Sequence, residues 1–179
     1  LLRVTVSRFF RNAPHWERLA DAVLPSLLAR FPEAHALRAW SAGCASGEEP
    51  FSLAILWLGR IAPRFPDRRL EIVATDVDEA CLARAAAARY APETIREVPG
   101  DLRRFFREVE PGLFEVGADV RSLVRFERAD LLADPPPGEC HLVLCRNLAF
   151  TYFIGPRLTA TLDRLASAPV PGGILVVGR

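Results

Sequence analysis

The sequence predicts an α/β fold: a mostly parallel central sheet with helices on both faces. Three observations predict it. Short apolar runs alternate with helical stretches, which is the signature of parallel strands joined by right-handed crossovers. Four of those runs end in residues suited to chemistry, at Gly43–Glu48, Asp76, Asp130 and Asn147. The 179 residues are 50% hydrophobic and 25% charged with a net charge of +1, the composition of one globular domain. That balance excludes disorder as the main state and asks for neither nucleic acid nor an anionic membrane. No run reaches the roughly 18 apolar residues of a membrane helix, and the first ten residues lack the apolar core of a signal peptide.

Residues 4–11 mix β-branched and aromatic side chains and stop at Asn12-Ala13-Pro14. A helix is expected over His15–Arg30, with Trp16, Leu19, Val23 and Leu27 on one face and Pro25 kinking or splitting it. Leu37–Ser41 reads as a buried strand ending at Gly43. Ser46-Gly47-Glu48-Glu49-Pro50 opens the next helix, Phe51–Ile61, which is apolar nearly all round and so belongs against a sheet. Leu70–Ala74 is a second strand, closed by Thr75-Asp76-Val77-Asp78, and an alanine-rich helix follows over Glu79–Arg89.

Tyr90–Gly117 breaks the rhythm. It reads as an inserted small lobe with two short helices, Pro92–Glu97 and Asp101–Phe106, and a strand at Leu113–Val116. Val120–Glu127, His141–Cys145 and Ile174–Val177 are the remaining strands, with a helix over Pro156–Ala168. The domain organisation expected is one domain over residues 1–179 with a small inserted subdomain at about 90–120. The chain has no methionine, so Leu1 is not a translation start and the chain is expected to be a piece of a longer protein. All 23 basic residues are arginine, which excludes any scheme built on a lysine. Cys44, Cys81, Cys140 and Cys145 form no metal-ligand spacing and read as reduced residues of a cytoplasmic protein, with no metal site.

In an open α/β sheet, ligands bind outside the carboxyl ends of the strands. The first strand–helix turn here is G-x-x-x-G, and Glu48 and Glu49 stand where a dinucleotide fold would place a pyrophosphate. They repel phosphate and attract a cation such as an amine. Asp76 can accept hydrogen bonds from both hydroxyls of a ribose. The ligand implied has a ribose and an amino group but no phosphate; S-adenosylmethionine fits, whereas NAD, FAD and ATP fit poorly. Each residue also has a blander reading: helix-dipole complement for Glu48 and Glu49, a helix cap for Asp76, a turn for Asn147, a solvated charge for Arg11. Their convergence on one sheet edge favours a site.

The strings Ser7-Arg8-Phe9-Phe10-Arg11, Trp40-Ser41-Ala42-Gly43-Cys44-Ala45-Ser46-Gly47-Glu48-Glu49-Pro50-Phe51-Ser52, Ala74-Thr75-Asp76-Val77-Asp78, Cys145-Arg146-Asn147 and Pro171-Gly172-Gly173 occur in that order. In this the chain resembles the CheR-type chemotaxis receptor methyltransferases over nearly its whole length. The resemblance implies a Rossmann-like class I S-adenosylmethionine-dependent methyltransferase sheet, truncated at its C-terminal hairpin and so left with an exposed strand edge. It implies methyl transfer to glutamate carboxylates of a chemoreceptor or related signalling protein, and an inserted lobe that can dock on a receptor tail. By position it also implies the site residues. Thr5, Ser7 and Arg11 would lie over the cofactor, Gly43, Glu48 and Asp76 would follow the first two strands, Asp130 and Leu131 would flank the adenine, and Arg146 and Asn147 would close a fourth strand.

Arg11 is the candidate catalytic residue, holding either the cofactor's carboxylate or the acceptor's. The sequence departs from the family in having Thr5 and Asp130 where asparagine is frequent, Tyr152-Phe153 one place late, and Gly178-Arg179 after the Pro-Gly-Gly string. An ionised glutamate is already a nucleophile near neutrality, so no general base is needed. A neutral acceptor would need one, and among the histidines only His15 is placed for it, His141 reading as structural. Two other functions remain open on the residues: methyl transfer to a different acceptor, and a non-catalytic module that binds the cofactor for signalling.

Overall fold

Five parallel strands form the central sheet of the computed structural model, which describes residues 7–146 and 155–178. They are β1 (Ala36–Ala42), β2 (Arg69–Asp76), β6 (Val124–Arg128), β7 (Cys140–Arg146) and β8 (Pro169–Gly178), in the spatial order β6-β2-β1-β7-β8. Chain direction reverses its walk across the sheet at β1, so β1 and β7 flank the switch point where ligands gather in such sheets. A second, antiparallel sheet is made by β3 (Arg89–Tyr90), β4 (Phe106–Glu110) and β5 (Leu113–Val116), in the order β3-β5-β4. Among the described residues the main sheet has five strands, with β6 and β8 outermost.

Burial alternates along the central strands and assigns each face to a different layer. Leu37 and Ala39 of β1, with Leu142 and Leu144 of β7, pack into the larger core with helices α1 (Ala13–Arg18), α2 (Leu24–Arg30) and α3 (Glu48–Leu56). Trp40 and Ala42, with Val143 and Cys145, face the opposite way, against Leu165 of α7 (Pro156–Ser167). Eight of the nine residues of α3 are buried, in keeping with its lack of a polar face. Each leucine fully removed from water there contributes about 1.5–3 kcal/mol. The helix α4 (Glu79–Ala87) begins on Asp78, whose carboxylate accepts from the Ala80 and Cys81 N–H groups.

Several expected boundaries move. The helix expected over His15–Arg30 is divided just ahead of Pro25: a π-helical turn over Leu19–Val23 joins α1 to α2, and the Leu24 N–H reaches the Leu19 carbonyl. A wider turn absorbs the donor that proline removes and its clash with the preceding turn. The same device, Trp57–Ile61, precedes Pro63. Helix α3 starts at Glu48 rather than Phe51, because Gly47 at φ 90° supplies the turn into it. The strand expected from Val120 begins at Val124, after a short helix α6 (Ala118–Arg121). Between β3 and β4 lie α5 (Pro92–Ile95) and a 3-10 turn over Gly100–Phe105. The sequence reading missed β4, which pairs with β5 across Pro111-Gly112. Strand β8 begins at Pro169, bulging around Gly172, where the Arg30 guanidinium donates to the Gly172 carbonyl.

Candidate functional site

The carboxyl ends of β1, β2 and β7 bring together most of the residues that the sequence singles out. After β1 the chain turns sharply, and the Gly43 and Cys44 N–H groups both donate to the Thr75 carbonyl, at 2.8 and 2.9 Å. Gly43 (φ 74°), Ala45 (φ 48°) and Gly47 (φ 90°) all sit in left-handed backbone, so the turn is held in a shape that most residues avoid. Tyr90 braces it by donating to the Ser46 carbonyl at 2.6 Å, and Trp40 donates to Thr75 Oγ1 at 2.9 Å beneath it. A Cβ on Gly47 would lie 3.0 Å from Ala85 and 3.1 Å from the Tyr90 hydroxyl.

Asp76 is the last residue of β2. Its Oδ2 accepts from the Ala45 N–H at 2.8 Å and its Oδ1 from the Asp78 N–H at 2.9 Å. Asp78, not Asp76, caps α4. A carboxylate has about four acceptor sites, so one remains on each Asp76 oxygen for a vicinal diol. Glu48 is buried, and its Oε2 atom has no hydrogen-bond partner among the described residues. Burial pushes its pKa up, offset by its own N–H, by the Ser7 hydroxyl and by the charge of Arg84. A carboxylate with an orphaned oxygen at a strand end suits an incoming ammonium group. Glu49 accepts from the Ser41 hydroxyl at 2.8 Å; burial raises its pKa to about 7 despite the opposing Arg146 and Ser41.

Arg146 closes β7 and is buried. Its guanidinium lies 5.4 Å from the Trp16 ring centre and donates to the Arg11 carbonyl at 2.9 Å. Arg11 itself has an exposed side chain, close enough for its charge to be felt at Arg146. Ser7 reaches Glu48, so residues 7–11 run from the β1 end to the β7 end. Asp130 and Leu131 are half-buried in the turn after β6, where the Asp130 carboxylate accepts from the Leu132 N–H at 2.8 Å and Leu131 packs on the Trp40 side of the sheet. Thr5 and Asn147 lie outside the described residues. His15 is pushed down to about 4 by burial and by Arg146. The His141 Nδ1 accepts from the Arg38 N–H at 2.9 Å and the ring packs on Phe31, a structural placement.

Trp16 and Tyr90 are residues of this site that sequence reasoning missed. Trp16 stands on the apolar face of a helix, which reads as core packing, and Tyr90 opens the inserted lobe; their bonds to the Arg11 and Ser46 carbonyls show only in the structure.

An acid-lined turn after β1, an acid ending β2 and a five-stranded parallel sheet define a class I S-adenosylmethionine-dependent methyltransferase fold. The glycopeptide N-methyltransferase MtfA has a similar structure, with a TM-score of 0.53 at 12% identity over 96% of this chain and 55% of that one. The family model described as "CheR methyltransferase, SAM binding domain" matches residues 5–179. The chain is 34% identical over 178 residues to the chemotaxis protein methyltransferase of Listeria innocua, and 35% identical over 182 residues to the probable chemotaxis protein methyltransferase of Rhizobium etli. These alignments take in 99% of this chain, but 65% and 67% of those proteins. The chain thus belongs to the CheR methyltransferase SAM-binding domain family and spans about two thirds of the length of these relatives.

Proposed function

We propose that the protein is an S-adenosylmethionine-dependent protein-glutamate O-methyltransferase acting on chemoreceptor-like proteins in the cytoplasm. Residues 1–179 are its methyltransferase domain, and the lobe at 90–120 is its contact with the receptor. The observation that carries the reading is the pair of strand-end acids, Asp76 with an open acceptor site on each oxygen and Glu48 with an orphaned buried oxygen. Family membership and the chemotaxis names of the relatives support the substrate class. No helix among the described residues is long and apolar enough to cross a membrane.

The bound cofactor supplies a methyl group activated on a sulfonium. Asp76 would hold its ribose and Glu48 its ammonium group, Gly43 would stand beside it in the turn after β1, and Asp130 and Leu131 would flank the adenine. Ser7 and Arg11 would lie over the cofactor from the N-terminal segment, and Arg146 would close the site from the β7 side; Thr5 and Asn147, to which the family resemblance gives the same duty, lie outside the described residues. In-line displacement requires the acceptor oxygen, methyl carbon and sulfur in register, and positioning lowers such barriers by several kcal/mol. An ionised acceptor glutamate needs no base, in keeping with a His15 made weakly basic by a pKa pushed down to about 4 and a tethered His141. Incubation with radiolabelled S-adenosylmethionine and a panel of chemoreceptor cytoplasmic domains tests the assignment. Base-labile label on receptor glutamates is the expected result. Cofactor binding without label on any receptor would mean a different acceptor or a binding module.

A further inference from the structure

The segment from Ser7 to Arg11 is tethered at every residue. The Ser7 hydroxyl reaches Glu48, and Arg8 pairs with Glu97 at 2.8 Å. The Phe9 N–H donates to the Thr94 carbonyl at 3.1 Å, while its ring packs edge-on against Tyr90 and Phe106. The Phe10 N–H donates to Ser52 Oγ at 3.0 Å. Phe10 (φ 53°) holds left-handed backbone, which persists for an aromatic residue only when the surroundings dictate it, and Asn12 (φ 69°) follows in a conformation that asparagine accepts readily.

The tether at Arg11 differs from the rest. One carbonyl oxygen takes two donors, the Trp16 indole N–H at 3.2 Å and the Arg146 guanidinium at 2.9 Å. Those two donors also pack on each other, with the guanidinium carbon 5.4 Å from the Trp16 ring centre. Trp16 is buried, and its ring lies 5.4 Å from that of Phe10. Three contacts therefore close a triangle around the backbone of Arg11.

Resting on the function proposed above, we infer that Trp16 is a positioning residue: it fixes the Arg11 backbone against the end of β7, so that the Arg11 side chain is presented to the bound cofactor. A planar ring that both stacks on Arg146 and donates to Arg11 does two things that a purely apolar core residue does not. Loss of the N–H alone should loosen Arg11 while leaving the packing in place. The titratable groups that face Arg146 in this cluster are Glu49, which favours its charge, and Arg11 and His15, of which Arg11 opposes it and His15 is pushed down to about 4.

A double-mutant cycle read by calorimetry tests this, with S-adenosylhomocysteine as the probe. Trp16→Phe keeps a ring beneath Arg146 and removes the N–H; 3-benzothienylalanine at position 16 keeps the whole bicyclic shape and serves if the phenylalanine variant folds poorly. Each should weaken binding by about three- to tenfold, the range of one lost hydrogen bond. In an Arg11→Lys background the same change should add less than twofold, because the residue being positioned is already altered. Ile61→Val, a core change away from the site, should lower the melting temperature without moving the dissociation constant. Unchanged affinity in both position-16 variants, or losses that multiply in the double variant, would overturn the inference. Failure of the wild-type chain to bind the probe would overturn the functional reading first, and this role with it.

Discussion

At the residue scale, the strand ends gather carboxylates in sheltered positions, Glu48 buried and Asp76 half-buried. Burial holds Glu49 near a pKa of about 7, well above an ordinary glutamate, although Arg146 and Ser41 pull the other way. The folded chain thus keeps a proton on Glu49 that the unfolded chain has released between about pH 4.5 and 7. Stability from this group is full below the ordinary glutamate range and falls as pH rises to about 7, by about 1.4 kcal/mol per pH unit. Glu48 is shifted in the same direction. Urea denaturation between pH 4.5 and 8 should show that slope, and Glu49→Gln should flatten it; an unchanged slope in the variant would place the titration elsewhere. Arg11→Lys should fold normally yet cut methyl transfer tenfold or more, since an ammonium cannot grip a carboxylate in two places. Normal turnover would remove Arg11 from the machinery.

Among the elements, the turn after β1 carries the most function per residue. Gly47 sits at φ 90° with Ala85, Tyr90 and Phe126 all around the place a Cβ would take. Gly47→Ala should cost about 1–3 kcal/mol of stability, seen as a lower denaturation midpoint, and weaken cofactor binding as Glu48 shifts with the turn. The turn was legible in the sequence because its glycines and acids stand between an apolar strand and an apolar helix. The strands were legible for the same reason, and their ends differ from expectation by only a few residues at β1, β2 and β7. Other features were not legible. Strand β4 alternates weakly and owes its place to pairing with β5 across Gly112. The π-helical turns answer prolines whose cost the sequence shows but whose remedy depends on packing. Trp16 sits on a helical apolar face, so its spacing announces core packing and conceals its bond to Arg11.

For the whole molecule, one core carries the sheet and the Ser7–Arg11 strap alike, since Phe9 and Phe10 are buried with β1 and β7, so stability and site geometry are linked. Leu144 of β7 is fully buried two residues before Arg146. Leu144→Ala should cost about 2–5 kcal/mol, with the denaturant midpoint as readout, because a central strand cannot collapse around the cavity. A loss under 1 kcal/mol would mean that β7 is less firmly packed than its burial indicates. The inserted antiparallel sheet is joined to the strap through Arg8–Glu97 and Phe9–Thr94, which places the proposed receptor contact and the cofactor cleft on a common element. The central claim is that the strand-end acids bind a ribose-bearing, amine-bearing, phosphate-free cofactor. Its most direct test is titration calorimetry of the wild-type chain and Asp76→Ala with S-adenosylhomocysteine, and of the wild type with NAD. The account predicts one site for the wild type, at least tenfold weaker binding (about 1.4 kcal/mol) for Asp76→Ala, and no competing heat from NAD. Equal affinity in the variant, or preferential binding of NAD, would contradict it.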